Sequence, residues 1–316
     1  ADGAYRFLKY RKEEKEAPRL VWPEGVDQED VGRQAVAIDF LRDLVNTPTC
    51  DLGPEGIEAA ARTLAKEFGA KVEVTSGADL EAGYPMVHAV GMAADQAPRY
   101  IEMTWGDEGA PMLALVGKGV AFDTGGLNIK TGDSMTIMKK DMGGAAHVLA
   151  LARLVMGAKL KVRLVVCIPA VENAIGSKAF RPGDVLKSRK GLTVEIGNTD
   201  AEGRLILADA LTRASELKPE LLIDFATLTG AARVALGSDL APIYSNDDGF
   251  ADAVLDAGET ASDPVWRMPL YDGYASGLSS SIADTRNISD GPMGGSITAA
   301  LFLKKFVDCK SWAHFD

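Results

Sequence analysis

Asn198-Thr199-Asp200-Ala201-Glu202-Gly203-Arg204-Leu205 sets two carboxylates two residues apart, follows them with an arginine, and then turns hydrophobic. If this stretch is extended, side chains alternate with a period of two, and Asp200 and Glu202 point to one side of the backbone. Acids held that way repel each other unless they share a cation. An apolar run at 193–197 precedes the stretch and a helical pattern at 204–217 follows it. That is the strand–loop–helix step of an α/β chain.

The same alternation extends outward in both directions. Helical spacing is expected over 31–45, stopped by Asn46-Thr47-Pro48, and over 55–68, closed by Gly69. Short apolar runs at 72–75, 86–91, 99–104 and 111–117 are expected as strands. Two glycine-rich loops follow, then a helix at 144–156 and a strongly apolar strand at 161–169. Beyond the motif come a strand at 220–226, a Gly/Ala-rich helix near 230–237, and a strand-like end at 311–316. Strands interleaved with helices predict a three-layer α/β/α sandwich around a mixed, mostly parallel sheet.

The chain has 316 residues, 34 basic against 45 acidic, for a net charge of −11. That balance counts against a broad electrostatic grip on nucleic acid or anionic membrane. No apolar run nears the roughly 20 residues of a membrane span. Three scattered cysteines, Cys50, Cys167 and Cys309, suit a reducing compartment, and a cytoplasmic location is expected. Residues 1–30 are charged and suit a linker or a surface helix more than core, and a chain of this length could form one large α/β domain or two modest ones. The first residue is not Met and the last residues read as mid-strand, so a longer parent chain is expected.

The second constellation is Gly117-Lys118-Gly119-Val120-Ala121-Phe122-Asp123-Thr124-Gly125-Gly126. It places Lys118 at the C-terminal end of a strand, where open α/β sheets build their sites. A Walker A loop needs Ser or Thr after Gly-Lys, and here Gly follows. A solvated lysine in a turn is the plain alternative. Lys130 comes next, and then Asp141 in Asp141-Met142-Gly143-Gly144-Ala145-Ala146, where it could simply cap a helix. Asp123, Asp141, Asp200 and Glu202 are all expected in Gly-rich loops near strand ends, and together they favour a cation site. The three histidines, His88, His147 and His314, form no zinc motif. Oxygen donors with one amine suit Mn²⁺, Mg²⁺ or, in a tight site, Zn²⁺. Four carboxylates exceed the need of one divalent ion and suit two ions about 3.5–4 Å apart.

The segment Asn198 to Leu205 resembles the signature of the leucyl aminopeptidase (cytosol aminopeptidase) family. Gly117-Lys118-Gly119, Phe122-Asp123-Thr124-Gly125-Gly126, Lys130 and the Asp141 segment fit the same family in order and spacing. So do Asp224-Phe225-Ala226-Thr227-Leu228-Thr229-Gly230-Ala231 and Ser296-Ile297-Thr298-Ala299-Ala300-Leu301-Phe302-Leu303. The resemblance runs from about residue 30 onward.

The resemblance implies a binuclear-metal aminopeptidase acting on peptide N-termini, leucine and similar residues preferred. Its metal ligands would be Lys118, Asp123, Asp141, Asp200 and Glu202, holding two Mn²⁺ or Zn²⁺, with Mg²⁺ or Co²⁺ as further candidates. Lys130 would polarise the scissile carbonyl and stabilise the oxyanion. Arg204 would hold a bicarbonate that carries a proton from the nucleophilic water to the leaving amine. Met138, Asn198, Ala201, Thr227, Leu228 and Gly230 match positions around the substrate. Met138 and Leu228 are equally at home in core packing, and Gly230 in a turn. The family also implies a homohexamer, a further N-terminal domain to which residues 1–30 would be the connector, a catalytic domain over 31–316, and a continuation past Asp316. Two other classes stand beside this one. A DNA-binding regulator is disfavoured by the acidic charge, and a catalytically silent homologue by the intact ligand and catalytic positions.

Overall fold

The structure, a computed structural model, describes residues 5–12 and 21–316. Of the expected connector, residues 1–4 and 13–20, and with them most of the charged run 12–16, lie outside the described residues. Helix α1 (Gln28–Asn46) starts where the Asp27 carboxylate accepts the N–H groups of Glu29 and Asp30. Helix α2 (Pro54–Phe68) opens on a proline and ends at Gly69, whose φ of 69° suits a residue without Cβ.

Strand β1 (Lys71–Ser76), short helices α3 (Gly77–Gly83) and α4 (Pro85–Gly91), and strands β2 (Arg99–Trp105), β3 (Met112–Gly117) and β4 (Gly119–Asp123) follow. The chain continues through α5 (Gly143–Gly157), β5 (Arg163–Asn173), β6 (Val185–Lys187), β7 (Thr193–Glu195) and α6 (Gly203–Glu216). Then come β8 (Leu221–Phe225), α7 (Gly230–Leu236), β9 (Ala241–Ser245), α8 (Asp248–Ala261) and β10 (Val265–Arg267). The last elements are β11 (Thr285–Arg286), α9 (Gly295–Lys304) and β12 (Trp312–Phe315).

The main sheet has the order β1-β2-β5-β3-β8-β12-β9-β10, with β4 added along β5. Its centre is parallel: β3 lies between β5 and β8, and β12 pairs with β8. Antiparallel pairs join β1 to β2, β2 to β5, and β12 to β9. A small second sheet joins β6, β7 and β11. Alternation splits the central strands between two cores. Leu115, Val166 and Ile168 face α1, α2 and α5, whereas Ala114, Val116, Val165 and Cys167 face α4, α6 and α9. The result is the mixed, mostly parallel sheet with helices on both sides that the sequence predicts.

Three local expectations are corrected. The run 86–91 is the helix α4, not a strand. It is apolar except at His88 because most of it is buried, packed on α6 and β5. The strand expected at 193–197 ends at Glu195, so the acidic motif is not extended. It forms a turn in which the Ala201 N–H donates to the Asn198 carbonyl at 3.3 Å. Asp123 does not lie in a loop but ends β4, which pairs with β5 beyond the point where β3 stops.

Candidate metal centre

Lys118 occupies the one-residue break between β3 and β4. Its N–H still donates to the Phe225 carbonyl at 3.0 Å, and its own carbonyl accepts from Ala145 at 2.8 Å. The backbone is thus pinned between β8 and α5 while the side chain turns into the protein, 3% exposed. The solvated-lysine alternative is excluded. Its ammonium lies 2.7 Å from Asp141 and 3.1 Å from Glu202, and donates to the Thr227 carbonyl at 3.2 Å. Gly144 and Gly203 make room, since a Cβ on either would stand within 2.8 Å of Lys118 atoms.

Asp141 lies in a short 3₁₀ segment before α5 and caps nothing; the N-cap position is Met142. Its carboxylate instead accepts from the Thr227 hydroxyl at 2.8 Å. Glu202 stands at the start of α6 and is buried. Ligand atoms of Asp123, Asp141 and Glu202 all lie within 4.8 Å of one another.

Lys130 forms the second half of the centre. Its ammonium stands 2.8 Å from Asp123 and 2.6 Å from Asp200. Because residues 198–202 form a turn, the two acids of the motif diverge: Asp200 faces Lys130 and Glu202 faces Lys118. Five predicted ligands and Lys130 therefore converge as two adjoining lysine–carboxylate clusters.

Electrostatics express this crowding. Burial alone would lower the Lys118 pKa, but Asp141, Glu202 and Asp123 outweigh it and hold the group above its ordinary value. Lys130 is raised in the same way, its burial outweighed by hydrogen bonds to Asp123 and Asp200. Asp141 has the closer contact with Lys118 and is held below its ordinary value against the cost of burial. Glu202 is pushed up to about 8, by burial first and then, against the pull of Lys118, by Asp123 and Asp141. Burial likewise raises Asp200 to about 6, with Asp123 adding to it and Lys130 opposing. Neither carboxylate oxygen of Glu202 accepts a hydrogen bond. A buried acid whose one neighbouring cation is the shared Lys118 ammonium, set among other acids, fits a divalent cation.

Arg204, in the first turn of α6, is 8% exposed. One guanidinium nitrogen donates to the Asn287 carbonyl at 2.6 Å, while its Nε is buried and unpartnered. Burial lowers its pKa to about 10, opposed by Asp316 and Glu202. A buried guanidinium with an unused donor fits a small anion. It lines a cleft of about 270 Å³ with Asn198, Asp200, Ala201, Glu202, Leu228 and Gly230 among the walls.

The sequence model of the cytosol aminopeptidase family, catalytic domain, matches residues 39–316. The chain belongs to the cytosol aminopeptidase family. The probable cytosol aminopeptidase of Cyanothece sp. (strain PCC 7425 / ATCC 29141) is 44% identical over 309 residues, covering 93% of this chain and 62% of its own length. That of Pseudomonas fluorescens (strain SBW25) is 43% identical over 330 residues, covering 100% of this chain and 66% of its own. The chain thus spans a little under two thirds of these curated relatives. Among solved structures, the cytosol aminopeptidase from Coxiella burnetii superposes with a TM-score of 0.96 at 50% identity, over 99% of this chain and 68% of that one. The bottromycin maturation enzyme BotP in complex with Mn superposes with a TM-score of 0.91 at 39% identity, over 99% and 69%.

Within this cytosol aminopeptidase domain the predicted substrate positions divide. Asn198, Ala201, Leu228 and Gly230 line the Arg204 cleft. Thr227 bonds Asp141 and Lys118 directly. Met138 is buried in the 3₁₀ segment before Asp141 and does not line that cleft. Leu228 also packs against the core beneath α6.

Several polar residues at the site had no sequence signal. Asn287 accepts from the N–H groups of Gly197 and Asn198 and donates to the carbonyls of Asn198 and Ala201. It thereby braces the whole acidic turn as well as Arg204. Asn128, Asn173 and Thr199 were likewise missed. Asn173 and Asn287 are solitary and distant in sequence, whereas Asn128 and Thr199 sit beside Lys130 and Asp200 but are neutral side chains with no charge to mark them.

Proposed function

We propose that this chain forms the catalytic part of a divalent-metal aminopeptidase that removes N-terminal residues from peptides, leucine and similar residues preferred. One observation carries the reading: two lysine–carboxylate clusters adjoin at the C-terminal ends of parallel strands, beside a cleft lined by a buried arginine. Asp123, Asp141, Asp200 and Glu202, joined by Lys118 once its ammonium gives up a proton to the incoming charge, would hold two ions, Mn²⁺ or Zn²⁺, with Mg²⁺ or Co²⁺ as further candidates. When bound, such ions supply Lewis acidity and lower the pKa of water. The manganese complex of BotP supports Mn²⁺.

The chain's own groups divide the remaining work. Lys130 presents a fixed positive charge for the oxyanion that develops on the scissile carbonyl. Arg204 would hold bicarbonate, a proton carrier the side chains do not otherwise provide. His314 is tied to Asp224 at 2.6 Å in the core, and His147 to the Gly143 carbonyl at 2.7 Å. The carboxylates are committed to cations. Asn198, Ala201, Thr227, Leu228, Gly230 and Met138 would surround the N-terminal residue of the peptide.

Family resemblance supports a homohexamer, a connector over 1–30 and a catalytic domain over 31–316. The unpaired Cys50, Cys167 and Cys309 support a cytoplasmic setting. No described helix is long and apolar enough to cross a membrane. Release of nitroaniline from leucine p-nitroanilide by the purified protein with Mn²⁺ or Zn²⁺, abolished by chelator, is the expected result. No hydrolysis across a panel of divalent metals and N-terminal residues would overturn the proposal.

A further inference from the structure

The segment carrying Asp123 and Lys130 and the turn carrying Asp200 and Glu202 come from distant parts of the chain. Three polar side chains outside the proposed ligand set join them. Asn128 and Thr199 are bonded reciprocally: the Asn128 N–H donates to Thr199 Oγ1 at 2.8 Å, and the Thr199 N–H donates to Asn128 Oδ1 at 2.9 Å. The Thr199 hydroxyl spends its proton on the Gly125 carbonyl at 2.6 Å. Thr199 is fully buried, so its hydroxyl has no recourse to water.

Asn173, at the end of β5, completes the clasp. Its Nδ2 donates to Asp123 Oδ1 at 2.8 Å and to the Thr199 carbonyl at 3.1 Å. Both partners are pure acceptors, which fixes the amide orientation. Its own carbonyl accepts from the N–H and hydroxyl of Thr124, at 3.2 and 2.7 Å. Gly125 and Gly126, at φ of +86° and +61°, let the turn approach; a Cβ on Gly126 would lie 3.0 Å from both Asn173 Oδ1 and Thr199 Oγ1.

Lys130 bridges the two carboxylates these segments carry, but the end of a long side chain between two mutually repelling acids does not by itself fix the separation of their backbones. Apolar packing does not do it over 127–129, where Leu127, Asn128 and Ile129 are exposed. We propose that Asn128, Thr199 and Asn173 are positioning residues that set the separation between the two halves of the centre, and through it the affinity for divalent cations. This rests on the metal-dependent reading above.

Titration calorimetry with Mn²⁺ on the whole protein, alongside thermal melts, tests it. Thr199→Val keeps the shape and removes the hydroxyl; Mn²⁺ affinity is expected to fall about 10–100-fold, while Thr199→Ser stays within about twofold of the unaltered protein. Asn128→Ala trims an exposed side chain, leaves folding intact, and is expected to weaken Mn²⁺ about 10-fold. The double variant should bind no more weakly than the worse single one, since both break one clasp. If Thr199→Val does not fold, Asn128→Ala decides. Unchanged Mn²⁺ affinity in the folded variants, even with a lowered melting temperature, would overturn the inference alone. An unaltered protein that binds no Mn²⁺ would overturn the metal-dependent reading and the inference together.

Discussion

Lys130 Nζ stands 2.6 Å from Asp200 Oδ1, across the gap between the segment that ends β4 and the turn that starts α6. The same ammonium is 2.8 Å from Asp123, so one cation bridges acids 77 positions apart in the chain, from 123 to 200. Lys118 bridges Asp141 and Glu202 in the same fashion. The sheet delivers both lysines to one place, because β3 breaks at residue 118 and resumes as β4 on the neighbouring strand.

Lys130→Met keeps the apolar stem and removes the charge. Turnover is expected to fall about 10²–10³-fold, the usual cost of losing an oxyanion donor. Mn²⁺ binding by calorimetry should persist, since Lys130 is not among the proposed ligands. Full turnover in this variant would refute its role.

Arg204→Ala is expected to retain Mn²⁺ yet lose about 10²-fold in rate, the scale of a missing proton carrier. The unaltered protein should respond to added bicarbonate and the variant should not. An equal bicarbonate response in both would remove the anion from the account.

The two raised carboxyls make a signed prediction about pH. Glu202 at about 8 and Asp200 at about 6 hold their protons more tightly in the folded chain than when unfolded. With chelator present, their stabilising contribution is complete below the ordinary carboxyl range and is lost as pH rises through 6 and then 8. Melting temperature should therefore decline over that window in chelator, more shallowly in Glu202→Gln. Added Mn²⁺ should raise stability most at the alkaline end, where both acids are free to ligate. A melting temperature that rises between pH 6 and 8 in chelator would contradict this.

Gly203→Ala would ordinarily favour a helix. Here the new methyl would overlap the Lys118 stem and stand 2.8 Å from its ammonium. A loss of about 1–3 kcal/mol is expected by denaturant titration, with weakened Mn²⁺ binding. Affinity equal to that of the unaltered protein would show that Lys118 does not need its present position.

Legibility in the sequence followed periodicity. Helix α2 shows a clear apolar stripe and a glycine stop, and the sequence places it within a residue of its observed bounds. The run 86–91 was misread because a short, continuous apolar stretch looks alike as buried strand or buried helix. Only its position between α6 and β5 decides, and that is a tertiary fact. The acids of the centre stand out because carboxylates gathered near strand ends demand cations, whereas Lys130 takes its role only from the family resemblance. Asn173 and Asn287 do not stand out, since neutral side chains take their meaning from hydrogen bonds to residues 26 and 89 positions away. The turn at 198–202 is held in part locally, by the Asp200 N–H donating to Asn198 Oδ1 at 2.7 Å, and in part by the distant Asn287, which no local pattern shows.

Anomalous scattering from crystals of the protein grown with Mn²⁺, recorded on both sides of the manganese edge, tests the central claim most directly. Two peaks about 3.5–4 Å apart are expected among Lys118, Asp123, Asp141, Asp200 and Glu202. Absence of any peak there, with both lysines still paired to their carboxylates, would contradict it.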